Sequence, residues 1–214
     1  PSVRGQGQLV AGNANWATGI EGITPGFLTA RNWVIARGRG IEVADVATAE
    51  KTVVLGNTVA ANLFPGEDAV GQALRIENVP FTVVGVLVPK GQSGQGRDQD
   101  DVVYVPLSTA KTRVLGGRQG GGRSVASITV QARSAELVPV AQAEISELLR
   151  ARHNIREGRE NDFDIRNISE AMSARAESAS VMSFLLAAVA SVSLVVGGIG
   201  IMNIMLVSVT ERTR

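Results

Sequence analysis

Cysteine is absent from the 214 residues, and histidine occurs once, as His153. The first absence excludes disulfides, Cys-ligated zinc and thiol catalysis together. The second leaves no His/Cys metal site and no basis for a Ser-His-Asp triad. Aromatic residues make up only 4% of the chain. Charge of one sign is lacking too: the formal net charge of +1 comes from Glu211, Arg212 and Arg214, and residues 1–177 are balanced. Without a clustered positive field or aromatic platforms, nucleic acid is excluded as a partner.

Phosphate chemistry is missing as well. No G-x-x-x-x-G-K-[ST] run occurs, so no phosphate loop is present. Gly116 to Ser124 (GGRQGGGRS) lacks the Lys and the preceding buried strand that would reach phosphates, and reads as a flexible connector. Gly91 to Gly96 reads only as a loop, because no helix N-terminus follows to hold an anion. Asp98, Asp100 and Asp101 are the densest acidic cluster. They lack the Gly and distal Glu spacing of a calcium loop, so solvation or pairing with Arg97 is the expectation. His153 falls at a helix end, where an imidazole can satisfy terminal carbonyls. The chain is expected to hold no catalytic, cofactor or metal site.

One stretch lacks charge altogether, from Glu177 to Glu211. Its core, Val181 to Val209, reads VMSFLLAAVASVSLVVGGIGIMNIMLVSV. At ~1.5 Å rise per residue this helix is roughly 43 Å long, against a hydrocarbon thickness of ~30 Å. The lipid bilayer is therefore the expected environment of residues 178–210. Ser183, Ala187, Ala190, Ser193, Gly197 and Gly200 recur at three- or four-residue intervals, a small-residue face that permits close helix packing. No Pro or Gly interrupts the chain from Ser169, a candidate N-cap, to Gly197, so a stalk is expected to run continuously into the membrane. Pro1 shows no initiator Met or signal peptide, and both ends are expected to be fragment boundaries.

The preceding residues alternate strands and helices. Thr24 with Pro25 starts a short helix. Lys51 to Gly56 is a strand, followed by a helix from an Asn57 cap through Leu63 that Pro65-Gly66 ends. Ala73 to Glu77 and Phe81 to Val88 are strands around a turn at Asn78-Val79-Pro80, and the second is apolar enough for burial on both faces. Val102 to Val105 is a strand, Ser108 caps a helix reaching Leu115, and Val125 to Ala132 is a further strand. From Leu137 to Arg152, Ala141, Ile145, Leu148 and Leu149 mark the apolar face of a helix. Phe163 and Ile165 alternate in a last strand. The fold class is mixed α/β, helices on a sheet.

GGIGIMNIMLVSVTERTR (Gly197 to Arg214) resembles the end of the second transmembrane helix of MacB-type ABC transporter permeases, the macrolide-exporter family. GITPGFL (Gly22 to Leu28), VVLGNTVAANLF (Val53 to Phe64), FTVVGVLVPKGQS (Phe81 to Ser93), DDVVYVPLSTA (Asp100 to Ala110) and EISELLRARHNI (Glu144 to Ile155) resemble, in order, that family's extracytoplasmic domain. The resemblance implies a porter-like α/β part with a smaller inserted lobe, placed here at residues 40–125. It implies residues 1–177 outside a bacterial inner membrane, 178–210 as the transmembrane helix and 211–214 as the start of a cytoplasmic segment. Glu211, Arg212 and Arg214 would then form a coupling segment leading towards an ATPase domain. It further implies a nucleotide-binding domain carrying ATP and Mg elsewhere, a homodimer, a periplasmic adaptor and an outer-membrane channel. Export of drugs, peptides or other amphiphiles is the expected task. Lipoprotein release, activation of a cell-wall hydrolase, and a membrane-anchored extracellular scaffold remain open as alternatives.

Overall fold

The computed structural model describes residues 1–94, 96–115 and 125–212. The glycine-rich connector Gly116 to Ser124 lies outside the described residues. The chain divides into two compact units, Pro1–Gln131 and Ala132–Arg214.

The first unit begins with a hairpin of β1 (Ser2–Ala11) and β2 (Ala14–Ile23). Its turn is two residues long, with Gly12 at φ 55°, the left-handed conformation that tight hairpin turns require. Seven strands follow one another in the order β3 (Ile35–Gly38), β6 (Val79–Leu87), β4 (Thr52–Leu55), β7 (Val102–Pro106), β2, β1, β5 (Ala73–Ile76). β5 also pairs with β6, so six strands close into a ring with β3 appended to β6. Closure removes most open edges, the positions at which sheets invite foreign strands. β1 and β2 bond directly to β5 and β7, so strands of the 40–125 segment share one sheet with residues that precede it.

Alternation along the strands separates two cores. Leu9, Ile20, Val53, Leu55, Ile76, Phe81, Val83 and Val103 gather on one face. Ile23, Val54, Leu87 and Tyr104 gather with Phe27, Leu28, Trp33 and Ile41 on the other. α1 (Gly26–Ala30) supplies Phe27 and Leu28 to the second core, and α3 (Asn57–Leu63) supplies Val59, Ala60 and Leu63 to the first. The five-residue α2 (Val43–Ala47) buries the carboxylate of Asp45. It is β4, with all four residues buried, that is covered on both faces. In β6, expected to be so, Thr82 is exposed and two-sided burial is confined to Gly85–Leu87.

Several local expectations are corrected. Gly56, not Asn57, caps α3, and its N–H donates to the Val102 carbonyl. The β5–β6 turn sits at Glu77 and Asn78, both at positive φ, so Val79 and Pro80 already belong to β6. Ser108 lies inside α4 (Leu107–Thr109) and donates to the Val46 carbonyl. That helix continues as a wider turn over Ala110–Val114, in which Leu115 N–H reaches the Ala110 carbonyl five residues back. The strand expected at Val125 to Ala132 is reduced to one bridge, Ser127 to Ser2, because no other strand among the described residues lies alongside it.

The second unit holds α5 (Val138–Arg152) and α6 (Ile168–Arg212). No residue of α5 is buried; its apolar residues are half-covered at best. Phe163 and Ile165 form no strand. The segment between the helices is instead strapped to the end of α5, where Arg150 donates to the Arg156 and Arg159 carbonyls and to Asn161 Oδ1.

Candidate functional site

Each acidic residue of the densest cluster has a local donor. Buried Asp100 accepts the backbone N–H groups of Lys90 and Gly91, at 2.9 and 2.7 Å. Asp98 accepts the Thr58 hydroxyl at 2.7 Å and the Asp100 N–H at 2.8 Å. Asp101 accepts the Trp16 indole N–H at 2.8 Å and the Thr18 hydroxyl at 2.7 Å. The loop between β6 and β7 is thus fastened to itself, to α3 and to β2. Asp98 is exposed to solvent, as expected, whereas Asp100 is buried; in place of the expected pairing with Arg97, neutral N–H and O–H donors hold the cluster. Among the described residues no group of three His, Asp or Glu is placed to hold a metal ion.

Three features of the site's electrostatics escaped sequence reading. Arg39 grips Asp45 bidentately, at 2.6 and 3.1 Å, while Asp45 also accepts the Glu42 N–H as part of a capping box. The Arg39 hydrogen bond is the main cause holding the Asp45 carboxyl below its ordinary range. Arg4 bonds buried Glu21 across the β1–β2 hairpin at 2.9 Å. Burial, reinforced by Glu21, pushes the Tyr104 phenol upward. His153, expected to cap carbonyls, turns its Nδ1 to Asp162 at 2.8 Å and meets the edge of Phe163.

The longest element is α6. Its 45 residues correspond to roughly 67 Å at helical rise. Asn167, not Ser169, supplies the cap: its Oδ1 accepts the Glu170 N–H at 3.4 Å, three residues on, where an N-cap side chain reaches. The stretch Ala176–Met202 is long and apolar enough to cross a membrane, with mean hydropathy 2.4 and none of it buried. Leu194 is 79% exposed and Phe184 73%. A helix apolar all round and uncovered by its own chain has a lipid face or a partner as its physical solution.

Ala187, Ala190, Ser193, Gly197 and Gly200 are all exposed on α6 and fall within an arc of roughly 140° at 3.6 residues per turn. Nothing lies within 4 Å of where a Cβ would stand on Gly197 or Gly200. The Ser183, Ser191 and Ser193 hydroxyls donate to the carbonyls four residues back, at 2.8 to 2.9 Å, which removes the need for a polar partner in an apolar surrounding. Of the residues expected to form a coupling segment, Glu211 and Arg212 lie in the last helical turn and Arg212 is exposed. Arg214 lies outside the described residues.

Residues 1–148 match the family model described as the MacB-like periplasmic core domain. The chain belongs to that family. It is 44% identical over 201 residues to the macrolide export ATP-binding/permease protein MacB of Rhodospirillum rubrum, covering 94% of this chain and 29% of that protein. To the protein of the same name from Azoarcus sp. it is 41% identical over 206 residues, covering 96% of this chain and 30% of that one. This MacB-like chain therefore spans about three tenths of the length of these curated relatives. Its fold matches the crystal structure of the periplasmic region of MacB from Actinobacillus actinomycetemcomitans, with TM-score 0.64 and 24% identity over 83% of this chain and 74% of that one. The extracellular domain of the noncanonic ABC-type transporter YknZ from Gram-positive bacteria shares the fold at TM-score 0.55 and 18% identity, over 73% and 75% of the two chains.

Proposed function

We propose that this chain is the extracytoplasmic and second membrane-spanning portion of an ATP-driven exporter, and that it works mechanically. Residues 1–177 stand outside a bacterial inner membrane, 178–210 cross it and 211–214 enter the cytoplasm. The segment 40–125 is the inserted lobe of this outer part. ATP and Mg act on a nucleotide-binding domain outside this chain. Movement begun there passes through Glu211, Arg212 and Arg214 into α6, and along α6 to the outer domain. The observation carrying this reading is that α6 runs unbroken from Ile168 to Arg212, since a single long helix transmits displacement better than a jointed linker. The relatives' printed names supply the cargo class, macrolides, within a wider range of drugs, peptides and amphiphiles. Two copies would pack through the small-residue face, with a periplasmic adaptor and an outer-membrane channel completing the path.

A flexible Gly-Gly-Ser-Gly insertion after Ser178 tests the mechanism in the full-length transporter in proteoliposomes. Glycine costs ~1 kcal/mol per residue in a helix interior, so the insertion interrupts α6. ATP hydrolysis is expected to persist while export falls. Unchanged export reduces α6 to an anchor and favours the scaffold alternative. Hydrolysis and lipoprotein release without drug export favours the lipoprotein-releasing alternative.

A further inference from the structure

Two cations of the first unit are mounted on aromatic rings. The Lys90 ammonium stands 4.1 Å above the centroid of Trp33, and the Arg31 guanidinium stands 5.5 Å above that of Phe27. They are neighbours, because Lys90 Nζ donates to the Arg31 carbonyl at 2.8 Å. Their backbones are fixed: Lys90 N–H is held by the Asp100 carboxylate, and Arg31 N–H by the Phe27 and Leu28 carbonyls. Among the described residues neither makes an ion pair within 4 Å, whereas Arg4, Arg37 and Arg39 each hold a carboxylate. Asp100, whose charge acts on Lys90, is buried and committed to backbone N–H groups. Partial burial first, and then proximity to Arg31, lowers the Lys90 pKa, with the Asp100 charge opposing them. Beside them two valines meet, Val88 N–H donating to the Val34 carbonyl, with side chains 39% and 61% exposed.

We propose that Arg31, Lys90, Val34 and Val88 form a docking surface for an acidic, aliphatic-bearing segment of a partner protein. Charge complementarity selects the occupant. Two cations already held in place lose little side-chain freedom on meeting carboxylates; Arg is enriched where binding energy concentrates, and Val34 and Val88 add exposed apolar area beside it. A membrane surface fits less well, since lipid recognition draws on clusters of about four to eight basic residues, and the large aromatic side chains here, Trp33 and Phe27, are buried. The surface stands on its own geometry, whichever cargo the transporter moves.

The test uses the full 214-residue chain in phosphatidylcholine nanodiscs. The probe is an acetylated, amidated octapeptide of alternating Glu and Leu, followed by calorimetry and by Trp fluorescence. Binding is expected to weaken about tenfold in the Arg31→Gln, Lys90→Gln double variant and to fall with added salt. Arg75→Gln, on β5 and of equal charge to a single exchange, should bind as the parent does. Lys90→Met keeps an unbranched side chain over Trp33 without the charge, and decides the matter if the double variant is less well folded: about a threefold loss supports the proposal. Equal affinity in Lys90→Met, equal binding of a Lys-for-Glu peptide, or binding to phosphatidylglycerol vesicles without binding to the acidic peptide overturns it.

Discussion

Val53–Val54–Leu55 and Leu194–Val195–Val196 are runs of similar composition with opposite fates. The first is wholly buried in β4, and the second is 60 to 79% exposed in α6. Side-chain hydrophobicity is shared, so the difference lies in what the neighbouring sequence supplies. β4 is followed by Gly56, which lets the chain pass close under the Asp100 carbonyl; one face of β4 is covered by Phe27, Leu28, Trp33 and Ile41, the other by α3 and the inward residues of the other strands. Around Leu194 the helix stays apolar as far as Met202, with none of that stretch buried. The first region hides its apolar surface within the protein, and the second leaves it for lipid or another helix.

The largest expected effect breaks the first region. Gly56→Val places a Cβ against the Asp100 backbone carbonyl, which has no side-chain freedom to yield, so about 3 kcal/mol or loss of the fold is expected. The counterpart Gly198→Ala on α6 meets nothing within 4 Å and should be near neutral. Urea titration followed through Trp16 and Trp33 compares the two. Next, Leu194→Arg sets a charge in the apolar stretch, at about 2.5 to 3.5 kcal/mol on the insertion scale; partition between membrane and soluble fractions reads the outcome, and a parent chain found in the soluble fraction without detergent would remove the membrane assignment.

A smaller effect sharpens the role of charge in the buried region. Asp45→Asn loses the bidentate partner of Arg39, with an expected cost of about 1 to 3 kcal/mol. Because the folded Asp45 carboxyl titrates below its usual value, its contribution is present above the unfolded aspartate pKa of about 3.9 and disappears as pH falls through the folded one. The parent should therefore lose stability on acidification relative to the variant, as thermal melts at pH 7 and pH 3 would show. Smallest of all is Ser193→Ala. With its hydroxyl already bonded to Val189, a change within about 0.5 kcal/mol is expected if the small-residue face meets only lipid; marked weakening of self-association in detergent would give that face a partner.

Sequence reading reached α3, α5, α6, β4, β6 and β7 because each carries its own periodicity. It passed over β1 and β2. Gly5 and Gly7 look like turn residues in SVRGQGQLVA, yet both lie within β1, since Leu115 covers one and Ile20 and Glu77 cover the other. That requirement comes from residues up to 110 positions away, and no local window contains it. The reverse error occurs at Val125 to Ala132, which has strand-like alternation but, among the described residues, only Ser2 as a bridge partner. Strand propensity is realised by pairing, which is a non-local property. The family resemblance was legible along most of the chain. The acidic loop was legible as a cluster, while the donors that bind it, Trp16, Thr18 and Thr58, come from β2 and α3.

The closure of the ring also orders events in time. β1 and β2 pair at once across their two-residue turn, but β2 takes its second neighbour only when Val102 to Pro106 has emerged, and Ser2 meets Ser127 across a separation of 125 residues. An isolated two-stranded hairpin is at best marginally stable in water, so the hairpin depends on those later strands. Arg4, Gln6 and Gln8 give the hairpin one polar face, while its apolar face, with Leu9 and Ile20, is covered only by contacts distant in sequence, the kind that form slowly.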